Sequence, residues 1–274
     1  MLIAAGVTLA QIQRAGLLDP VDARILVAHA LGLSRVQLIT QADRALSADE
    51  ARRVENLVAR RLQGEPIAYI VGEREFFGLP FEVMPDVLIP RPETELLVEL
   101  ALQRLPPDGS LLDMGTGSGA IAVALAHERP DATVSALDAS AGALAVARRN
   151  AERNGVQVEF LQSDWYAAVG DRRFGLIVSN PPYIVAGDSH LSQGDLRFEP
   201  ASALTDHADG LSALRIIIAG APVHLQPGGW LLLEHGYDQA AAVRELLNGQ
   251  GFSDVQSWRD LAGIERASGG FMPV

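Results

Sequence analysis

The chain has 274 residues, of which 48% are hydrophobic, so it can bury one large domain or a large domain with a small companion. Its 34 acidic and 22 basic residues give a net charge of −12, which opposes non-specific binding to nucleic acid, because that binding needs clustered Lys and Arg. The absence of cysteine excludes disulfide bonds and thiolate metal sites, and the short apolar start at residues 1–5 predicts neither a signal peptide nor a membrane anchor, so we expect a cytoplasmic protein.

The first part of the chain, residues 1–73, is predicted to form a small helical domain. Thr8 with Gln11, and Ser47 with Glu50, have the spacing of capping boxes at helix starts. Nothing in this region has the residue types of a catalytic site. We therefore expect the apolar positions of this domain to form a packed core, without a catalytic role.

Residues 74–90 are predicted to form a β-hairpin linker. Two apolar runs within residues 75–83 flank Gly78-Leu79-Pro80, which favours a hairpin loop longer than two residues. The remaining residues, 91–274, are predicted to form the catalytic domain.

From residue 110 onward, short apolar runs alternate with helical patterns, which predicts an α/β fold with a doubly wound, Rossmann-like parallel sheet. The predicted strands cover residues 111–114, 133–137, 156–161, 174–178 and 230–234, and the predicted helices cover about 118–128, 140–154, 211–225 and 239–247. Residues 253–258 and 264–274 follow without an intervening helix, which predicts an antiparallel hairpin at the end of the sheet. Gly269-Gly270 weakens the prediction of the last strand.

A glycine-rich segment, Asp113-Met114-Gly115-Thr116-Gly117-Ser118-Gly119, ends the first of these strands and opens a helix. In this context, glycines let the backbone pass close to a ligand, and the helix start supplies unpaired N–H groups. Asp138 ends the next strand, where a carboxylate can accept hydrogen bonds from both hydroxyls of a ribose. The pattern predicts a cofactor that contains ribose, but it fits a nicotinamide dinucleotide as well as S-adenosylmethionine.

A second motif, Asn180-Pro181-Pro182-Tyr183, stops a buried strand at the edge where open α/β sheets bind ligands. Alone, Asn-Pro is equally compatible with an ordinary turn. Hydride chemistry would need an acid or base that titrates near neutrality, and this motif has none. It offers hydrogen-bond acceptors and an aromatic face instead, which favours methyl transfer from S-adenosylmethionine to a planar amide or amino group.

The predicted chemistry of this motif is orientation of a weak nucleophile. An amide nitrogen shares its lone pair with the carbonyl, so the enzyme must hold it in line with the methyl group. The Asn180 side-chain oxygen and the Pro181 carbonyl can each accept one N–H of an NH₂ group. Tyr183 is predicted to stack on the amide plane, although a core tyrosine with a bonded hydroxyl is the alternative. No general base is required, because the cationic product sheds its proton readily.

These motifs together resemble the glutamine N-methyltransferases of translation release factors, the HemK/PrmC type. The resemblance covers nearly the whole chain. Its further motifs are Ile89-Pro90-Arg91-Pro92-Glu93-Thr94-Glu95, Ser163-Asp164-Trp165, Phe198-Glu199-Pro200, Asp209-Gly210-Leu211 and Asp260-Leu261-Ala262-Gly263. It implies a helical N-terminal domain that recognises the substrate, a hairpin linker and a class I methyltransferase domain that binds S-adenosylmethionine. The implied acceptor is the glutamine of the Gly-Gly-Gln motif of peptide chain release factors, the proteins of translation termination.

The resemblance also implies roles for individual residues. Gly115, Thr116, Gly117, Ser118 and Gly119 would hold the methionine part of the cofactor. Asp138 would hold the ribose, and Asp164 and Trp165 would lie beside the adenine. Asn180 would touch both cofactor and glutamine, and Pro181, Pro182 and Tyr183 would complete the substrate site, with Asn180, Pro181 and Tyr183 as the catalytic set. The tail at residues 263–270 departs from the family pattern, which puts the last strand in doubt but not the site.

Three other functions remain open at this point. A nucleic-acid adenine N-methyltransferase also uses an Asn-Pro-Pro-Tyr motif, but the acidic charge and the lack of a basic segment count against direct contact with nucleic acid. A methyltransferase for a ribosomal-protein glutamine is the nearest alternative within the family. The third is a cofactor-binding regulator without catalysis, which would have no need of a motif that holds an amide, as Asn180-Pro181-Pro182-Tyr183 is predicted to do.

Two further expectations concern metals and loops. The six histidines include no pair at metal-ligand spacing on a helix, so we expect no metal, and we expect a structural role for His235. Residues 185–202 form a long segment after the Asn180-Pro181-Pro182-Tyr183 motif, which makes them a candidate lid or substrate-docking element. We expect a monomer with no membrane contact.

Overall fold

The computed structural model describes residues 3–274, so the first two residues of the apolar start lie outside the described range. The chain divides into two compact units, one ending at Glu73 and the other comprising Arg74–Val274. Among the helices of the described residues, none has the length and apolar character that a bilayer span requires.

The N-terminal unit is helical, as predicted. Its helices are α1 (Leu9–Arg14), α2 (Pro20–Leu31), α3 (Arg35–Thr40), α4 (Ala48–Leu62) and α5 (Ile67–Val71). The capping boxes predicted at Thr8 and Ser47 both form, and each satisfies backbone N–H groups that a helix start leaves unpaired. Leu9, Leu26 and Val54 are fully buried at the centre of this unit.

The predicted hairpin forms from strands β1 (Glu73–Phe76) and β2 (Leu79–Glu82), but the prediction of a loop longer than two residues is wrong. Phe77 and Gly78 alone make the turn, with φ of 52° and 73°, the left-handed pair of a two-residue hairpin turn. Pro80 lies inside β2, which is tolerated because both strands of a two-stranded ribbon are edge strands. A one-turn 3₁₀ helix at Pro92–Thr94 then leads into α6 (Glu95–Leu102).

The second unit contains the predicted α/β sheet, and the predicted fold class is confirmed. Its strands are β3 (Ser110–Met114), β4 (Thr133–Asp138), β5 (Glu159–Gln162), β6 (Phe174–Ser179), β7 (Leu225–Glu234), β8 (Ser253–Arg259) and β9 (Glu265–Phe271). The accompanying helices are α7 (Ala120–Glu128), α8 (Ala141–Arg153), α9 (Ala201–Leu204), α10 (Ser212–His224) and α11 (Ala240–Gly249). The strand order is β5-β4-β3-β6-β7-β9-β8, parallel except for β9, which pairs antiparallel with both β7 and β8.

The last strand, which the sequence left in doubt, is formed and lies inside the sheet. β9 pairs with β7 over five consecutive positions. A Cβ added to Gly269 would lie 2.3 Å from the Leu231 carbonyl oxygen, and one added to Gly270 would lie 3.0 Å from that of Ser253. The two glycines therefore let β9 fit between its neighbours rather than interrupting it.

The order of the strands decides where the site lies. β3 lies between β4 and β6, and Met114 is paired with Ser179, so the chain segments that follow β3 and β6 leave the sheet side by side. In doubly wound sheets this reversal of strand order opens a crevice at the carboxyl ends of the strands. At this edge the glycine segment follows β3, Asp138 ends β4 and Asn180 follows β6.

Candidate active site

The loop after β3 passes close to the crevice because of two glycines. Gly115 and Gly117 have φ of 72° and 54°, in the left-handed region, and a Cβ added to either would meet open space. The Gly115 and Thr116 N–H groups both donate to the Leu137 carbonyl oxygen at 2.9 Å. The loop is thereby fixed to β4 with its glycine backbone exposed to a ligand.

Gly119 has a different role from the other loop glycines. It is buried at the N-cap of α7 with φ of 84°, and an added Cβ would lie 3.1 Å from the Ala147 Cβ on α8. It is not among the described residues that line the crevice. The structure therefore places Gly119 behind the loop, where it lets α7 pack closely against α8.

Asp113 lies beneath the glycine loop and is fully buried. Its Oδ2 accepts a hydrogen bond of 2.6 Å from the Thr116 hydroxyl, whereas its Oδ1 has no partner among residues 3–274. Burial raises the pKa of Asp113 to about 7. Asp113 was predicted only as part of the glycine-rich motif, and its place as the buried support of Thr116 was not predicted.

Asp138 links the loop to the end of β4. Its Oδ2 accepts from the Gly117 N–H and its Oδ1 from the Ser140 N–H, both at 2.9 Å. Burial raises the pKa of Asp138, and the backbone hydrogen bonds oppose that effect. Each oxygen keeps a second lone pair, so the carboxylate can still accept hydroxyl groups of a ligand.

Trp165 is held in an unusual backbone conformation at the crevice. Its φ of 46° lies in the left-handed region, which non-glycine residues adopt rarely and often at functional sites. The Ser163 hydroxyl donates to the Trp165 carbonyl oxygen at 2.6 Å and accepts from the Ala168 N–H at 3.0 Å. The predicted Ser163-Asp164-Trp165 motif thus builds a turn that fixes the indole.

The Asn180 motif begins where β6 ends, as predicted. The Asn180 Nδ2 donates to the Thr94 Oγ1 at 3.1 Å, which leaves its Oδ1 available as an acceptor. Pro181 is buried, and Pro182 is half-buried beside it. The Tyr183 hydroxyl donates to the Glu234 Oε1 at 3.3 Å. This hydrogen bond agrees with the alternative prediction for Tyr183, a core tyrosine with a bonded hydroxyl.

The structure brings most of the predicted residues to one cavity at the carboxyl ends of β3, β4 and β6. Its predicted lining residues are Gly115, Thr116, Gly117, Ser118, Asp138, Asp164, Trp165, Asn180 and Pro182. Thr94 and Arg91 also line it and were not predicted as site residues. The open glycine backbone, the carboxylate and the indole that line this cavity suit a ligand with a polar chain, a ribose and an aromatic base.

Tyr183 does not line this first cavity but a second one. The second cavity is lined by Arg91, Glu93, Tyr183, Glu234 and Arg266, together with residues in the range 190–196. Arg91 borders both cavities, and the Asn180 motif contributes Asn180 and Pro182 to the first and Tyr183 to the second. Pro181 is not among the described residues that line either one.

Two residues outside the predicted set hold the backbone of the motif. The Gln239 Nε2 donates to the Tyr183 and Gly210 carbonyl oxygens at 3.1 and 3.0 Å. Gly210 has φ of 77°, and an added Cβ would lie 2.5 Å from the Tyr183 carbonyl oxygen. The Asp-Gly pair at residues 209–210 was the only sequence signal for this contact.

The segment at residues 185–202 is tied down at both ends. The Ile184 N–H donates to the Leu204 carbonyl oxygen at 3.0 Å. Glu199 is buried, accepts the Ile89 N–H at 3.0 Å and forms an ion pair with Arg91. The segment borders both cavities, and its role as a lid or docking element stays a prediction.

His235 is buried and bonded on both ring nitrogens. Its Nδ1 lies 2.9 Å from the Gly236 carbonyl oxygen and its Nε2 lies 2.8 Å from the Ser268 hydroxyl, and burial lowers its pKa. Within residues 3–274, no group of three or more His, Cys, Asp or Glu side chains is arranged to hold a metal ion.

Known proteins match both units of the chain. The family profile described as PrmC N-terminal domain matches residues 9–72, and the one described as Methyltransferase small domain matches residues 92–204. Among solved structures, a methyltransferase from Pyrococcus furiosus superposes with a TM-score of 0.56 at 24% identity, covering 80% of this chain and all of that one, which shows the shared fold.

Two relatives match almost end to end. The release factor glutamine methyltransferase of Burkholderia pseudomallei is 61% identical over 97% of this chain and 96% of its own length. The protein of the same name from Neisseria gonorrhoeae is 53% identical over 92% of this chain and 93% of its own. Identity at this level over nearly the full length confirms the predicted family. The chain belongs to the release factor glutamine methyltransferase family.

Proposed function

We propose that this chain transfers a methyl group from S-adenosylmethionine to the side-chain amide nitrogen of the glutamine in the Gly-Gly-Gln motif of a peptide chain release factor. The names of its relatives support a release-factor glutamine as the acceptor. The observation that carries the proposal is the Asn180 amide at the wall of the first cavity, with its Nδ2 held by Thr94 and its Oδ1 left to accept.

The first cavity is the cofactor site in this proposal. Residues 115–118 hold the methionine part against the open glycine backbone, and Asp138 accepts the ribose hydroxyls. Asp164 and Trp165 lie beside the adenine. Gly119 supports the loop from behind through its contact with Ala147. S-adenosylmethionine supplies an electrophilic methyl group carried on a sulfonium centre.

The chain's own residues orient the acceptor amide. The Asn180 Oδ1 and the Pro181 carbonyl oxygen each accept one N–H of the glutamine amide, so that the nitrogen lone pair faces the methyl group. The two prolines restrict the backbone and keep both acceptors in place. Tyr183 and the second cavity receive the rest of the glutamine-bearing loop. Transfer first gives a cation whose nitrogen carries the new methyl group and both original protons; this cation is a strong acid and loses one proton to water without a dedicated base, which leaves the neutral methylated amide.

The two units divide the work in this proposal. Residues 1–73 recognise the release factor, residues 74–90 link the units, and residues 91–274 bind the cofactor and catalyse transfer. The protein acts as a monomer in the cytoplasm, without membrane or direct nucleic-acid contact. The net charge of −12 supports the last point, since phosphate backbones would be repelled.

A competition between acceptors tests the proposal. The purified protein is incubated with S-adenosylmethionine labelled on its methyl group and, in parallel, with release factor, ribosomal proteins and DNA. We expect label on the release factor, located by peptide mapping to the Gly-Gly-Gln glutamine, and none on the other acceptors. Label on DNA adenine or on a ribosomal-protein glutamine, with none on the release factor, would refute it.

A further inference from the structure

The Asp260-Leu261-Ala262-Gly263 motif has no role in the proposed function, although it is part of the family resemblance. It forms the turn between β8 and β9. The Asp260 Oδ1 accepts hydrogen bonds from the Ala262 and Ile264 N–H groups, both at 2.9 Å. The Gly263 N–H donates to the Asp260 carbonyl oxygen, also at 2.9 Å. One aspartate therefore holds this turn through both its side chain and its backbone.

The other carboxylate oxygen of this aspartate holds an arginine. The Arg266 Nε donates to the Asp260 Oδ2 at 3.3 Å. The Asp260 side chain is only 6% exposed, so water competes little for this contact. The Arg266 guanidinium makes no other hydrogen bond with residues 3–274. It is thus oriented through Nε, and its two Nη groups remain free to donate to a ligand.

The sheet places Arg266 at the same edge as the Asn180 motif. β9 runs antiparallel to β7, so β9 begins at the edge where β7 ends. Ala267 is paired with Glu234, the last residue of β7, so Arg266 lies just beyond that end. Arg266 lines the second cavity, to which the Asn180 motif contributes Tyr183. The turn therefore brings an oriented guanidinium to the cavity that, in the proposed function, receives the glutamine-bearing loop.

The other groups of the second cavity favour a neutral polar ligand. Arg91, which also lines it, already forms an ion pair with Glu199. Glu93 and Asp195 add negative charge to the lining, which disfavours an anion. A main-chain carbonyl group is neutral and accepts hydrogen bonds from a guanidinium. In Gly-Gly-Gln the two residues before the glutamine have no side chain, so their main-chain groups are what a cavity can recognise.

We propose that Arg266 binds the substrate in the second cavity by donating hydrogen bonds to main-chain carbonyl groups of the glutamine-bearing loop, and that Asp260 is the positioning residue that orients it. This inference rests on the proposed function, because it assigns a substrate contact beside the same Asn180 motif. Arg266 touches the substrate but not the reacting atoms. Its effect is on binding of the release factor and not on the methyl-transfer step.

Arg266→Gln and Asp260→Asn test the two roles separately. The first variant removes the guanidinium. In the second, the amide oxygen can still accept from the two N–H groups of the turn, but the amide NH₂ group opposes the Arg266 Nε–H, donor against donor. The matched controls are Arg148→Gln, exposed on α8, and Asp171→Asn, exposed in the turn before β6.

The measurements are kcat and KM for release-factor methylation and the dissociation constant of S-adenosylmethionine. We expect Arg266→Gln to raise KM about 10- to 100-fold, because it removes hydrogen bonds from a charged donor, and to leave kcat and cofactor affinity within about 2-fold of wild type. Asp260→Asn should raise KM about 2- to 10-fold, the cost of immobilising one long side chain on binding. The double variant should be no worse than Arg266→Gln, because Asp260 acts through that guanidinium.

The salt dependence of KM identifies the group that Arg266 binds. A main-chain carbonyl group has no net charge to screen, so the ratio of KM for Arg266→Gln to KM for wild type should be the same at about 0.05 M and about 0.5 M salt. An ion pair with an acidic side chain of the release factor would be screened, and the ratio would fall towards one. That fall would overturn the assignment of a main-chain ligand.

The outcomes separate this inference from the proposed function. A wild-type protein that methylates no release factor contradicts the function itself. A wild type that does, together with an Arg266→Gln variant whose KM equals that of Arg148→Gln, overturns the binding role of Arg266. An Asp260→Asn variant with the KM of Asp171→Asn overturns the positioning role of Asp260. A loss of cofactor affinity in Arg266→Gln that equals its rise in KM also overturns the proposal, because Arg266 would then act on the cofactor site.

Discussion

Gly210 offers a direct test of how the Asn180 motif is held in place. It is buried, has φ of 77°, and presses its backbone against Tyr183, where an added Cβ would lie 2.5 Å from the carbonyl oxygen. Gly228 is the matched control, because it has the same φ of 77° but is exposed, with nothing within 4 Å of an added Cβ. Alanine at either position carries the same backbone cost, and only Gly210→Ala adds a clash.

The expected magnitudes follow from these two contributions. A left-handed conformation costs a residue with a Cβ about 1–2 kcal/mol, which is the whole expected loss of unfolding free energy for Gly228→Ala. Forcing an extra carbon into a packed site costs about 1–3 kcal/mol more, so Gly210→Ala should lose about 2–5 kcal/mol. The Tyr183 backbone must also move, and a displacement near 1 Å in a catalytic element can lower kcat about 100-fold.

Urea unfolding followed by tryptophan fluorescence measures the stability of the unit that contains both glycines, Arg74–Val274. All three tryptophans, Trp165, Trp230 and Trp258, lie within that unit. Release-factor methylation measures kcat on the same preparations. Equal stability losses for Gly210→Ala and Gly228→Ala, with wild-type kcat in both, would refute the conclusion that Gly210 fixes the motif.

Three further predictions concern the cofactor loop and the buried acid. Asp138→Ala should raise the dissociation constant of S-adenosylmethionine about 10- to 100-fold by calorimetry, because it removes charge-assisted hydrogen bonds worth about 1.5–3 kcal/mol; an unchanged constant would remove Asp138 from the cofactor site. Gly119→Ala should lower the unfolding free energy by about 2 kcal/mol through its left-handed φ and its contact with Ala147, and wild-type stability would contradict that packing role. Burial raises the pKa of Glu234 from 4.5 to about 7, so its ionisation lowers stability progressively as the pH rises from about 4.5 to 7. Glu234→Gln has no such ionisation and avoids that loss. The unfolding free energy of the variant minus that of wild type should therefore be larger at pH 8 than at pH 4.5, by up to about 3 kcal/mol. A difference that does not change with pH would contradict the burial of the Glu234 carboxyl group.

Much of the site was predictable because local sequence determines it. The glycine pattern after β3 needs left-handed backbone that only glycine adopts cheaply, and a carboxylate at the end of β4 follows from the spacing of the βαβ unit. Asn180 could be placed because Pro181 and Pro182 must end a strand. Once the strand order is known, all three segments meet at one edge.

The features that sequence analysis missed depend on tertiary contacts. Thr94, Glu234 and Gln239 are far apart in the chain, and the pairing of β6 with β7 brings Glu234 to the motif. The predicted loop of the hairpin was too long, because Phe77 adopts a left-handed conformation that its residue type disfavours. Gly269 seemed to weaken β9, but its missing side chain is what lets β9 approach β7.

The central claim is that Asn180 holds a glutamine amide for methylation, and methylation of the release factor by Asn180→Ala tests it most directly. Asn248→Ala, exposed near the end of α11, is the control for the same change of residue. We predict one methyl group on the Gly-Gly-Gln glutamine with wild type and Asn248→Ala, and none with Asn180→Ala at an unchanged cofactor dissociation constant. Full methylation of that glutamine by Asn180→Ala would contradict the claim.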